Sequence, residues 1–444
     1  MLRARMAITL SALVAVSWFA TTGCKDKARP AEGAGSQAAA GAQAATVLKL
    51  WHYEPPNSAM GIAWKQAISN FEKSHPGVTV KFEEKGFEQI QQNAGMILNS
   101  DEAPDLMEYN KGNATAGLLS KQGLLTDLTA EASKRGWDKV LSPSLQTTAR
   151  YDARGVMGGD KWFGVPNYGE FVMVYYNKDL FDKQGVKVPT SLAELEAAMA
   201  TFVKAGVPPL SVAGAEYPAH QIVYLLALSK ADRKWVTAYQ VYDGKIDFHG
   251  PELSFGATAF ADWVAKGFVP KNSAGIRAED MGTAFAQGKF PMMISGSWWY
   301  GRFMDQITTF QWGTFLFPGN KLHPGSSGNL WVVPSHSKNK ALAADFIDET
   351  LKPEIQELLG NSGGVPVAAR PESITKPKNR ELIAAFNAIS AQDGLAFYPD
   401  WPAPGYYDVL VAAVQELINA SKTPAEVLDE LAAPYQQHVA TMSK

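Results

Sequence analysis

The stretch VLKLWHYEPPNSAMGIAWKQAISNFEKSHPGVTVKF, residues 47–82, decides the fold. Val47-Leu48-Lys49-Leu50-Trp51 reads as a strand. Over Ser58–Ser74 the residues Met60, Trp64, Ala67, Ile68 and Phe71 recur on one helical stripe, and Pro76-Gly77 closes it. Val78-Thr79-Val80-Lys81-Phe82 alternates as a second strand should, Glu88–Asn99 reads as a helix, and Asp105-Leu106-Met107-Glu108-Tyr109 as a third strand. Strands alternating with helices at this spacing predict βαβ units and a mainly parallel sheet, so the fold class is α/β.

Beyond Trp162 the pattern returns. Phe171–Tyr176 is a predicted strand, and Ser191–Ala205 a helix opened by the capping box Ser191/Glu194 and stopped by Gly206. Pro291–Ser295 and Leu330–Pro334 read as strands, Ala341–Thr350, Pro353–Leu359 and Tyr407–Asn419 as helices. Thr423-Pro424-Ala425-Glu426 is a second capping box, with proline at the first helical position.

Upstream the composition changes. Residues 1–24 combine Arg3 and Arg5, an apolar run over Ala7–Ala20 and the small residues Thr21-Thr22-Gly23-Cys24, the layout of an export signal. Cys24 is the sole cysteine, so no disulfide framework exists, and its place predicts lipidation at a processed N-terminus, with simple cleavage or a retained anchor as alternatives. Residues 25–46 form a linker ending in AEGAGSQAAAGAQAAT; if flexible it spans roughly 25 Å. The remaining chain is long enough for two cores. A net charge of −3 gives no basic footprint for nucleic acid.

Catalytic signatures are thin. Gly360-Asn361-Ser362-Gly363-Gly364 matches G-x-S-x-G, but a helix-like segment precedes it and Val365-Pro366 follows, so it reads as a helix C-cap turn. Gly282 to Gly288-Lys289 has the wrong length for a phosphate loop, and Phe290 stands where Ser or Thr is needed. The seven histidines are scattered, and no cofactor or metal is expected.

Two carboxylates and three aromatic clusters remain. Glu54 follows the first strand, where open α/β sheets place ligand contacts, and Glu170 lies in Val165-Pro166-Asn167-Tyr168-Gly169-Glu170. Such a pair could serve a glycosidase or accept hydrogen bonds from sugar hydroxyls, and structural salt bridges compete with both. Trp298 and Trp299 lie in Gly296–Gly301 with Ser297 and Arg302 nearby, Trp331 follows Asn329, and Tyr398-Pro399-Asp400-Trp401-Pro402 forms a rigid loop. A pyranose offers apolar C–H faces and a hydroxyl rim, so flat rings edged by Asp, Asn and Arg suit it, while packing is the competing reading for each ring.

The order of these motifs resembles the family 1 extracellular solute-binding proteins, the maltose-binding-protein-like receptors of ABC sugar importers. The likeness runs from about Val47 to Val439 and rests on Ala103-Pro104-Asp105-Leu106, Trp162–Pro166 through Tyr175–Phe181, Phe285–Lys289 leading into Met292–Trp298, and Asn339–Phe346. It implies a two-lobed periplasmic-binding-protein type II fold with a ligand cleft between the lobes, an N-terminal lobe of 47–169 and 329–385, and a C-terminal lobe of 170–328 and 386–444. The hinge would pass through Tyr168–Met173 and near Gly328–Trp331. Family ligand positions fall here on Tyr53, Glu54, Tyr109, Asn110, Glu170, Trp298, Trp401 and Tyr406, and Trp299, Arg302, Trp331 and Asp400 join them from the aromatic clusters. Gly112 stands where the maltose receptor has an aspartate, which argues against maltose.

The resemblance further implies a non-enzymatic, monomeric carbohydrate receptor that closes on a mono- or oligosaccharide. It would dock on the transmembrane subunits of an ABC permease, periplasmic or at the cell surface, held to the membrane by its lipid. The alternatives are a secreted glycoside-active enzyme using Glu54 and Glu170, or a receptor for a polyol phosphate. The latter would want several cations, and near the cleft the sequence offers Arg302 and Lys111.

Overall fold

The computed structural model describes residues 46–442. The export signal, Cys24 and the linker up to Ala45 lie outside the described residues. The described chain contains strands β1 Thr46–His52, β2 Val78–Glu84, β3 Leu106–Tyr109, β4 Val165–Pro166, β5 Tyr168–Asn177, β6 Leu210–Ser211, β7 Met292–Gly296, β8 Trp312–Phe315, β9 Gly325–Ser327, β10 Leu330–Val332 and β11 Val365–Pro366. The helices that position the site are α1 Ala59–Ser74, α2 Phe87–Leu98, α3 Leu192–Lys204, α4 Pro218–Leu228, α5 Ala278–Ala286, α6 Lys340–Leu351, α7 Pro353–Asn361, α8 Pro377–Ala391, α9 Tyr406–Asn419 and α10 Pro424–Met442.

Two sheets result. The first runs β2-β1-β3-β10-β4, the second β8-β5-β7-β6, with β9 and β11 paired to the start of β5. β1 lies parallel to β2 and β3, as the βαβ reading requires, but β10 is antiparallel to both β3 and β4. In the second sheet only β6 and β7 pair in parallel; β5 is antiparallel to β7, β8, β9 and β11. The sheets are therefore mixed, not mainly parallel. The physical reason is chain path: β10 arrives from the second sheet and enters the first from the opposite direction, without a helical crossover to set it parallel. One residue, Asn167, separates β4 in the first sheet from β5 in the second, and Gly328-Asn329 separates β9 from β10 on the way back.

The helices form as their sequences dictate. Ser58 caps α1, its hydroxyl accepting from the Gly61 amide at 2.9 Å. The predicted stripe is the buried one, with Met60, Trp64, Ala67 and Phe71 turned inward. At α3 the Ser191 hydroxyl accepts from the Glu194 amide, while the Glu194 carboxylate reaches Thr190 instead of Ser191. At α10 the box is reciprocal between Thr423 and Glu426. α7 ends at the glycine-rich turn, with the Gly364 amide bonded to the Leu359 carbonyl and Gly363 at φ +93°, so G-x-S-x-G is a helix stop and Ser362 no nucleophile elbow.

Behind the first sheet an aromatic cluster locks α1 and α6 to β10: Trp331 meets Trp64 at 5.9 Å and Phe346 at 5.8 Å, both edge-on, and Phe71 meets Phe346 at 5.4 Å. Among the described residues no helix is long and apolar enough to cross a membrane.

Candidate functional site

Parallel β1 and β3 end on the same edge of the first sheet, and their next residues enter one crevice: Tyr53 and Glu54 after β1, Asn110 and Lys111 after β3. From the other side come Glu170 on β5, the turn Ser297–Trp299 that follows β7, and the loop carrying Tyr398, Asp400 and Trp401. Between them lies a cavity of about 970 Å³, at the upper end of the roughly 300–1,000 Å³ usual for small-molecule sites.

Nine of the twelve ligand residues expected from sequence line this cavity: Tyr53, Glu54, Asn110, Glu170, Trp298, Trp299, Arg302, Asp400 and Trp401. The other three do not. Tyr109 is the last residue of β3, and the alternation that sends its neighbour Asn110 to the cavity turns its own ring into the core. Trp331 belongs to the aromatic cluster behind the sheet. Tyr406 opens α9 but packs toward α10, its hydroxyl donating to the Leu431 carbonyl at 3.1 Å.

At the inner end the polar groups form one network. The Lys111 ammonium donates to Glu170 at 2.5 Å and to the Asn329 amide oxygen at 3.0 Å; the Asn329 Nδ2 donates to the Tyr168 hydroxyl at 2.8 Å. That hydroxyl stands 3.4 Å from carboxylate oxygens of both Glu54 and Glu108, and the Ser58 hydroxyl donates to Glu54 at 3.3 Å. Burial, then the Glu170 charge, pushes the Glu54 carboxyl up to about 7. Burial and the Glu54 charge raise Glu108 further. Asp400 is pushed up to about 7, again chiefly by burial, with Lys111 pulling the other way. Behind Asp400 the His220 Nε2 lies 4.0 Å away, its ring driven down to about 3 by burial.

A chain of rings connects the two sides. Tyr53 meets Phe87 at 5.2 Å, Phe87 meets Tyr217 at 6.3 Å, and Tyr217 meets Trp298 at 5.6 Å. Trp298 reaches Tyr398 at 6.5 Å, and Tyr398 reaches Trp401 at 5.3 Å. Beside Phe87, Glu88 of α2 accepts a 2.6 Å hydrogen bond from the Tyr407 hydroxyl of α9, so the mouth is held across its width. The cavity also holds Lys85 and Arg277 beside Lys111 and Arg302, two cations more than the sequence reading counted. Each has a carboxylate partner: Lys85 with Glu83, Lys111 with Glu170, Arg277 with Glu216, and Arg302 with Glu279.

Sequence reasoning missed Phe87, Tyr168, Tyr217 and Tyr407 as site residues. The signals were local: Phe87 and Tyr217 each stand at the mouth of a helix, Tyr217 just before a proline at the first helical position. Among the described residues no group of three or more His, Cys, Asp or Glu side chains is placed to hold a metal ion.

The model of the bacterial extracellular solute-binding protein family matches residues 56–357. The chain is 25% identical over 338 residues to a multiple sugar-binding protein of Streptococcus mutans, covering 73% of this chain and 75% of that one. It is also 25% identical to a maltooligosaccharide ABC transporter solute-binding lipoprotein of Streptococcus pneumoniae, over 64% of this chain and 65% of that one. Among solved structures, an ABC substrate-binding protein from Listeria monocytogenes in complex with cycloalternan superposes with a TM-score of 0.72 at 22% identity, over 90% of this chain and 99% of that one. The two-lobed α/β fold is shared with it.

Proposed function

This chain belongs to the bacterial extracellular solute-binding protein family, and from that premise we propose that it is the carbohydrate receptor of an ABC importer. It closes around a mono- or oligosaccharide and hands it to the permease transmembrane subunits. One observation carries the reading: six rings run across the cavity from Tyr53 to Trp401, edged by Glu54, Asn110, Glu170 and Asp400. Flat apolar faces beside hydrogen-bonding groups are what a pyranose requires.

In this proposal the N-terminal lobe is 47–169 with 329–385 and the C-terminal lobe 170–328 with 386–444. Closure rotates the lobes about Asn167 and Gly328-Asn329, and the ligand contributes through its preference for the closed state. Cys24 carries the lipid that tethers the receptor outside the cytoplasm, as a relative named a lipoprotein supports, and the linker lets a monomer reach the permease.

The receptor is not an enzyme in this reading. Glu54, raised toward neutrality beside Glu170, is the feature that favours the hydrolytic alternative, but Glu170 is tied to Lys111. The paired state of every cavity cation argues against a polyol phosphate. The test is incubation with an oligosaccharide panel. A sugar returned intact, with folding stability raised by about 2.7 kcal/mol at a hundredfold excess over Kd and the melting temperature raised with it, supports the receptor. Turnover supports the enzyme, and no shift with any sugar overturns the proposal.

A further inference from the structure

The inner half of the cavity is short of positive charge. Glu54, Glu170 and Asp400 line it, Glu108 shares the Tyr168 hydroxyl with Glu54, and the cation among them is Lys111. That ammonium is already committed to Glu170 and Asn329. Glu54 takes the hydroxyl donors Ser58 and Tyr168 and shares a hydrogen bond with the Glu108 carboxyl. Asp400, 7% exposed, has no side-chain donor within hydrogen-bond reach among the described residues. Its neutral neighbour His220 lies 4.0 Å off.

A separate observation points the same way. Gln221, next to His220 on α4, lines the cavity while itself 4% exposed, and its amide oxygen has no hydrogen-bond partner. The cavity therefore offers one unmatched neutral acceptor, Gln221, beside two carboxyl groups with no cation in hydrogen-bond reach, Glu54 and Asp400, and an unmatched buried acceptor is costly once water is excluded. The rings are suited to the missing partner as well. The Lys111 ammonium sits 5.6 Å from the Tyr398 ring centre and 5.5 Å from that of Trp401, so these faces already hold a cation.

We infer that the site takes an amino sugar, a pyranoside whose free amine is protonated, in preference to the neutral or anionic carbohydrate of the same shape. The inference rests on the sugar-receptor reading and names its ligand class. The pyranose supplies faces for Trp298 and Trp401, and the ammonium supplies N–H donors and the charge that Glu54, Asp400 and Gln221 lack. A neutral sugar meets the acceptors with hydroxyls but leaves the negative charge buried, and an anion adds to it. Proton linkage gives a readout independent of affinity. Glu54 faces Glu170, Glu108, Tyr168 and Ser58; Asp400 faces Lys111, Glu88, Glu170 and His220. Both are drawn into the charged form by a bound ammonium, so binding releases protons near pH 7.

The experiment is titration calorimetry on the intact protein, in buffers of different ionisation enthalpy, with a matched panel. Glucose, galactose and mannose, and β-1,4-linked glucose dimers and trimers, are each set against the 2-amino-2-deoxy counterpart. The amine forms are expected to bind roughly tenfold tighter or more, the difference made by a charge-assisted hydrogen bond, and to release protons. Neutral forms binding as well as the amines, or amines binding without proton release, overturn the inference and leave the sugar receptor standing. No binding by any member overturns both. In Asp400→Asn the amine-to-neutral ratio is expected to fall by roughly tenfold; an unchanged ratio in a folded variant also overturns the inference.

Discussion

Gly112 has φ +102°, and a Cβ there would lie 2.5 Å from the Trp401 ring. Only glycine meets both demands, the left-handed backbone and the ring laid against it. Gly112 is thus spent on seating an aromatic wall. Gly112→Asp is expected to cost about 1–3 kcal/mol in urea denaturation and to abolish sugar binding by calorimetry. Two tryptophans make a paired test. Trp298, half-buried in the wall, changed to alanine should weaken binding roughly tenfold or more with little change in stability. Trp331→Ala should cost about 3–5 kcal/mol of stability while the folded fraction binds normally. Residue identity could not separate these two. Trp298 was legible because it follows a strand and enters a turn, whereas Trp331 and Tyr406 sit beside similar turns and face inward because long-range packing orients them.

At the level of elements, α1 shows how a local signal reaches the site. Its capping hydroxyl, on Ser58, serves both the Gly61 amide and the Glu54 carboxylate. Ser58→Ala should lower stability by about 1 kcal/mol and raise the Glu54 pKa further, since one of its stabilising donors is lost; denaturation and carboxyl titration by NMR would check the two effects. Elements of this kind were readable: α1, α3, α9 and α10 announce themselves by stripe and cap. The short strands Leu210–Ser211, Gly325–Ser327 and Val365–Pro366 were not, because two or three residues carry no period. Nor was the antiparallel entry of β10 beside β3, which depends on where the chain returns from and not on its own sequence. Glu54 was found because parallel strand ends collect ligand contacts, and Asn110 through the family resemblance; Phe87 and Tyr217, on helix starts opposite one another, become neighbours only in the folded molecule.

Across the whole molecule the buried titratable groups pull stability in opposite directions with pH. Glu54 and Asp400, raised to about 7, bind protons in the folded state that the unfolded chain has released, so their contribution is present in acid and lost as pH rises through 7. His52 and His220, lowered to about 3, do the reverse: their contribution is present above the unfolded value near 6.5 and lost as pH falls toward 3. Asp400→Asn removes one falling component, so its stability relative to wild type should rise from pH 5 to about 7 and level off above that in urea denaturation; a constant difference would mean that Asp400 keeps an ordinary carboxyl.

Asn329, which accepts from Lys111 at the floor of the cavity, and Tyr168, whose hydroxyl accepts from Asn329, stand at the two places where the polypeptide passes from one sheet to the other. The bed on which the guest rests is also the axle. If the proposed closure turns at these crossings, a replacement of Tyr168 or Asn329 that retunes recognition also alters the stiffness of the pivot, so at these two positions selectivity and opening speed are inherited together.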